Sequence, residues 1–255
     1  MIQLPRVAPD RGWLALLGGG EFSFGETEAV DVAWLAHAAP GPIAFLPAAS
    51  GSADYGKHFA VYLDEYFKRR VDVVPVYRGR DARRRANCDR LHAAAGIYLG
   101  GGVADHLLAT VRATPVADAL LARLAAGAVI TGIAAGAQVF GTHLRGLSGG
   151  RVLPALALLR ETVVDTNFEP GHDRRLRRLL AHAGGGRGLG IPAGCGVLVG
   201  PRGGVEVVGR AFVLDGPQAR LERIDGIAPQ TLCSTLLPDD QHLAQHVAER
   251  RDRSD

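Results

Sequence analysis

The sequence predicts an α/β protein, a three-layer α/β/α sandwich built on a mostly parallel sheet. Three observations carry this. Short apolar runs alternate with segments of helical spacing from Trp13 to Phe140. The apolar runs are continuous, as in strands covered on both faces. Three of them end in glycines, at Gly18-Gly19-Gly20, at Gly100-Gly101-Gly102 and in the turn 132–136. In sheets of this kind ligand sites lie beyond the carboxyl ends of the strands.

The elements follow in order. "WLALLGG" (13–19) is a buried strand, "ETEAVDVAWLAHAA" (26–39) a helix and "PIAFLPAAS" (42–50) the second strand. "YGKHFAVYLDEYFKRR" (55–70) is an amphipathic helix, "VDVVPVY" (71–77) the third strand and "DARRRANCDRLHAA" (81–94) a helix. "GIYLGGG" (96–102) is the fourth strand, 104–127 is helical with a break near Pro115, and "AVITGI" (128–133) is the fifth strand. Further on, "DRRLRRLLAHAG" (173–184) is a short helix. "GLGIPAGCGVLVG", "VEVVGRAFVLDG" and "ARLERIDG" are short strands punctuated by glycines, expected to add hairpins to the sheet.

Composition narrows the function classes. A chain of 255 residues suits one large domain, residues 1–255, with 1–12 and 247–255 as flexible tails. The formal charge of +3 is mild. Arginines cluster at 83–85, at 174–175 with 177–178, and at 250–251, and no aromatic residues interleave with them. Solvated helix faces are expected there and a nucleic-acid surface is not. Cys88, Cys195 and Cys233 are far apart and show no metal spacing, so reduced thiols and no metal site are expected. Residues 1–12 hold no apolar signal-type run, and no apolar stretch reaches membrane-spanning length. A cytoplasmic protein without membrane contact is the expectation. "LLGGGEF" lacks the third glycine of a dinucleotide fingerprint, so no cofactor is expected.

The stretch "AVITGIAAGAQVF" (128–140) is the most specific. A strand, a tight Gly-flanked turn and a helix start make the layout of a nucleophile elbow, G-x-S-x-G. Here the frame is Gly132-Ile133-Ala134-Ala135-Gly136, and alanine holds the centre. Backbone N–H groups at the helix start would face a developing oxyanion.

On this turn and its surroundings the chain resembles the cyanophycinase and dipeptidase E family of serine peptidases. "TGIAAGA" is similar to the family's G-T-S-A-G-A. "YLGGGVADHLLATVRATPVADALLARLAAGAVITG" matches the preceding stretch in order and spacing, and "IAFLPAASG" with Tyr55 and Phe59 matches upstream. "VVDTNFEPGHDRRLRRLLAH" resembles D-x-H-F followed by an R-x-x-R-L helix. "GLGIPAGCGVLV" resembles G-I-G-I-D-E-x-T-A-L-V-V, and "VEVVGRAFVLD" the closing hairpin. The resemblance spans roughly residues 13–216 and implies a flavodoxin-like or class I glutamine amidotransferase-like fold.

The resemblance also implies that the chemical positions are replaced. The family's serine falls on Ala134, its histidine on Asn167, its acidic pair on Pro192 and Ala193, and a polar pair after the glycines on Val103 and Ala104. Alanine offers no nucleophile and asparagine no base near neutral pH. The expectation is a catalytically inactive homologue, a pseudoenzyme, with a pocket edged by Gly101, Gly102, Ala134, Ala135, Gln138 and Asn167. A small peptide or amino-acid-like ligand is implied by the family, and a homodimer is admitted. Two alternatives stand beside this: an enzyme of non-serine chemistry using His106, His172 or Cys195, or a residual cyanophycinase-like or dipeptidase-like hydrolase. His143 follows the turn's helix as a further candidate. Ser50 and Ser52 suit a ligand or an ordinary cap, and Asp165 a structural role. A purely structural subunit, marked by a large apolar patch, is the remaining class.

Overall fold

The computed structural model describes residues 3–4, 11–50, 52–147 and 151–236. The first half alternates strictly: β1 Trp13–Leu17, α1 Glu28–Ala36, β2 Ile43–Leu46, α2 Ala53–Phe67, β3 Val71–Val73, α3 Arg85–Ala93 and β4 Gly96–Leu99. Two helices follow, α4 Ala104–Val111 and α5 Pro115–Ala125, then β5 Val129–Ile133 and the single turn α6 Ala135–Gln138. Pro115 opens α5, where its missing N–H costs nothing, and this splits the long helical stretch in two.

The second half is β6 His143–Arg145, β7 Val152–Pro154, β8 Thr162–Thr166, α7 Arg174–His182, β9 Arg187–Ile191, β10 Gly196–Val199, β11 Val205–Val208, β12 Arg210–Asp215, β13 Glu222–Asp225 and α8 Pro229–Leu236. The main sheet has seven strands in the order β11-β10-β1-β5-β4-β2-β3. β1, β5, β4, β2 and β3 are parallel, and β10 and β11 add an antiparallel edge.

Only part of the second half joins that sheet, a correction to the expectation of added hairpins. β8, β9, β12 and β13 form a separate four-stranded sheet, with β8 and β9 parallel. The reason lies in its side chains. Val164, Leu189, Ile191, Ala211 and Val213 face the main core, whereas Val163, Phe212 and Leu214 pack with Leu176, Leu179 and Leu180 of α7. Both faces are apolar, so each needs its own cover.

Residues 1–12 are not wholly a tail either. Gln3 pairs with Gly204, and Leu4 is fully buried with its N–H donated to the Gly203 carbonyl. Its leucine side chain secures this short segment to the core. The 247–255 tail, the arginines at 250–251 and the Cys233 side chain lie outside the described residues.

The face of the main sheet under α1 and α2 holds an aromatic cluster of Trp34, Phe45, Phe59, Tyr62 and Tyr98. Within it Asp31 is fully buried and accepts hydrogen bonds from Thr27 Oγ1 (2.7 Å), Trp34 Nε1 (2.7 Å) and Tyr62 Oη (2.9 Å). Burial pushes its carboxyl up to about 6, against the pull of these three donors. The folded protein therefore holds this proton more tightly than the unfolded chain, and the stability it confers is present at low pH and lost as pH rises through about 6. Urea unfolding should show wild type losing up to about 3 kcal/mol relative to Asp31→Asn between pH 4 and pH 7.

Candidate functional site

The parallel register aligns three strand ends. Leu17 pairs with Ile133 and Leu99 with Gly132, so Gly18–Gly20, Gly100–Gly102 and the 132–136 turn share one edge of the sheet. β5 sits between β1 and β4, which makes its turn the centre of that edge.

At the apex Ala134 has φ 49° and ψ −110°, a conformation L residues rarely adopt and one that costs of order 1–3 kcal/mol. Hydrogen bonds on both sides hold it. Its N–H donates to the Leu17 carbonyl (3.0 Å), and its carbonyl accepts from Ala137 and Gln138 N–H (3.0 Å each). Packing requires the same shape. A Cβ on Gly132 would overlap the Gly136 carbonyl, and one on Gly136 would overlap the Leu99 carbonyl. The first N–H groups of α6 have no partner inside the helix.

The neighbours gather around the Gly18–Gly20 loop. Asn167 is exposed, with φ 48°, a left-handed conformation that asparagine tolerates. Its N–H donates to the Gly18 carbonyl (2.6 Å), and its carboxamide lies where a Gly19 side chain would be. Pro192 is buried with its carbonyl against Gly18, and Ala193 is exposed. Gly194 N–H reaches the Gly19 carbonyl (3.0 Å). On the other side, a Cβ on Gly101 would meet the Ala134 methyl at 3.7 Å. Tyr55 reaches the Gly101 backbone, and burial drives its hydroxyl well above the usual tyrosine range. Gly102 abuts Ala49 and Ser50, Val103 is exposed, and Ala104 opens α4. Ala135 is buried at the start of α6.

Gln138 ties the turn to the second sheet. Its Nε2 donates to Thr166 Oγ1 (2.7 Å), and the Thr166 carbonyl accepts from Arg175 Nη2 (2.8 Å). Arg175 Nε also donates to the buried Asp165 carboxylate (2.8 Å). Burial pushes Asp165 up while Arg175 pulls it down. Asp165 is thus a buried anchor for α7, the structural role expected of it.

The other candidates lie elsewhere. Exposed His172 Nδ1 pairs with Glu169 (2.7 Å). Exposed His106 lines a groove with Arg78, Asp81 and Arg84, and His143 lies beside the Gly184–Gly186 loop. The Cys195 sulfur packs against Gly209, where a Cβ would meet it at 2.8 Å. Ser52 caps α2 by accepting from Asp54 N–H (3.3 Å), and Ser50 Oγ donates to the Pro47 carbonyl (3.1 Å). Among the described residues no group of three His, Cys, Asp or Glu is placed to hold a metal.

Sequence reasoning missed two rim carboxylates. Glu26 Oε2 accepts from Glu21 N–H (2.8 Å) and borders Gly20, while Glu21 Oε1 accepts from Ser23 N–H (3.3 Å) and Oγ (3.1 Å). The signal was present in "GGGEFSFGE": two acids immediately after a glycine-rich strand end.

The model for peptidase family S51 matches residues 14–202, and the chain belongs to that family. It is 28% identical over 157 residues to cyanophycinases of Trichormus variabilis and a Nostoc species, an overlap of 54% of this chain and 50% of each of theirs. The chain thus matches about half the length of these curated relatives. Among solved structures, a peptidase from an acI-B1 actinobacterium superposes with a TM-score of 0.66 at 19% identity, covering 85% of this chain and 97% of the other. A putative peptidase E protein from Listeria monocytogenes gives 0.53 at 16% identity, covering 84% and 99%. These likenesses show the fold.

The turn's strain is testable. Ala134→Gly should raise the unfolding free energy by about 1 kcal/mol, because glycine adopts the apex conformation without cost. Gly136→Ala should lower it by more than about 3 kcal/mol, because its methyl meets backbone. Urea unfolding of both variants checks this.

Proposed function

We propose that this chain is a non-hydrolytic member of family S51 that binds a small peptide or amino-acid-like ligand at the 132–136 turn. The observation that carries the reading is the Ala134 methyl at the apex of a strained turn, where the resemblance puts the family's nucleophile. An alanine side chain cannot form an acyl-enzyme, and Asn167 cannot take its proton. Backbone N–H groups alone would leave at most a small residue of catalysis.

The proposed pocket is edged by Gly101, Gly102, Ala134, Ala135, Gln138 and Asn167. A zwitterionic ligand suits its surroundings. N–H groups at the start of α6 would donate to a carboxylate or carbonyl oxygen. The rim carboxylates of Glu21 and Glu26 would attract an amine. His172 and Cys195 have their contacts elsewhere, which weighs against a substitute base or nucleophile. No helix among the described residues is long and apolar enough to cross a membrane, and the unpaired thiols of Cys88 and Cys195 suit a reducing, cytoplasmic setting.

The test is hydrolysis of Asp-X and β-Asp-Arg dipeptides by the purified protein, beside an empty-vector preparation and an Ala134→Ser/Asn167→His variant. The unmodified protein should show no turnover above the empty-vector preparation. Calorimetry should show it binding one or more of these dipeptides, with Ala134→Leu weakening binding at least about tenfold by filling the pocket. Turnover by the unmodified protein would overturn the reading.

A further inference from the structure

A second concave region lies along α7, and its chemistry differs from that of the turn. It is a groove of about 710 Å³ lined by Arg145, His172, Arg174, Arg175, Arg178 and His182, together with Val152, Leu179 and Gly171. Among the described residues no carboxylate lines it. The acids nearby already have partners: Glu169 pairs with His172, Asp173 with Arg177, and Asp165 with Arg175.

The sequence of α7 explains the groove. Leu176, Leu179 and Leu180 are buried in the small core between α7 and the second sheet. At 100° per residue, this turns Arg174, Arg178 and His182, spaced four apart, onto the opposite side. Successive members of that row rise about 6 Å along the helix. Arg145 on β6 and Val152 on β7 contribute the other wall. Among the described residues, the guanidinium groups of Arg174 and Arg178 meet no carboxylate within ion-pair distance. His182 is oriented by its Nδ1–H, which donates to the Arg178 carbonyl (2.8 Å).

We infer that this groove binds a multivalent anion, a ligand carrying two or more phosphate or carboxylate groups about 6 Å apart. Arginine suits the task because its planar fork pairs with either group through two parallel N–H bonds and stays charged at any physiological pH. Phosphate chains and runs of acidic side chains share this chemistry. The inference does not depend on the pocket at the turn, and the experiments below leave that pocket's residues untouched.

Sodium tripolyphosphate and a hexaglutamate peptide should be titrated separately into the full chain by calorimetry, at two ionic strengths. At least one should bind saturably, and more weakly at the higher salt. Arg174→Gln/Arg178→Gln should weaken it at least about tenfold, since each lost charged hydrogen bond is worth that much. Arg85→Gln/Arg112→Gln removes the same charge from a remote surface and should leave binding unchanged. Binding of tripolyphosphate alone would identify a phosphate ligand, and of hexaglutamate alone a carboxylate ligand. Hydrogen exchange of the unmodified protein, slowed by the bound probe across residues 171–182, provides a test that needs no variant. Failure of both probes to saturate, equal loss in the two double variants, or protection confined elsewhere would overturn the proposal.

Discussion

Gly132 lies directly against the carbonyl of Gly136, and Gly136 lies directly against the carbonyl of Leu99. These two backbone contacts bring the chain from β5 into α6 with no room for a side chain at either glycine. Ala134 is held between them in a strained conformation that the Leu17 carbonyl helps to pin. Because β5 lies between β1 and β4, the contacts also decide how near the strand ends come to the apex. Beside this corner a Cβ on Gly101 would meet the Ala134 methyl at 3.7 Å, and the Gly18 carbonyl accepts from Asn167 N–H.

The strained corner therefore does not depend on a reactive side chain for its shape. Hydrogen bonds and packing keep it in place with alanine at the centre. This separates two properties that a peptidase combines, a preorganised backbone and a nucleophile. In the function proposed above, backbone N–H groups and the rim carboxylates Glu21 and Glu26 would orient a ligand without a covalent step. Gln138, Thr166 and Arg175 then connect the corner to α7 through consecutive hydrogen bonds, so the arginine groove and the turn share a common support.

Much of the first half was legible because local rules suffice there. Continuous apolar runs marked β1, β2, β4 and β5, and Pro115 marked the break between α4 and α5. The motif order likewise pointed to family S51, whose model matches the chain. The second half was less legible. β8, β9 and β12 are apolar on both faces, and such strands look alike whether they extend one sheet or build another. Leu4 is a single leucine in a proline-bearing segment, and nothing local announces that it fills a core position.

From the sequence alone came the α/β class, the glycine-flanked turn and the alanine at its centre, because periodicity and residue identity are local properties. Tertiary structure decided which residues meet. It set Asn167 on the Gly18–Gly19 backbone, turned the Cys195 sulfur to Gly209, and placed the carboxylates of Glu21 and Glu26 at the rim. It also converted an arginine-rich helix face into one wall of a groove by setting Arg145 across from it. These pairings join residues far apart in the chain, and they depend on strand order and on the covering of apolar faces, which no short stretch of sequence encodes.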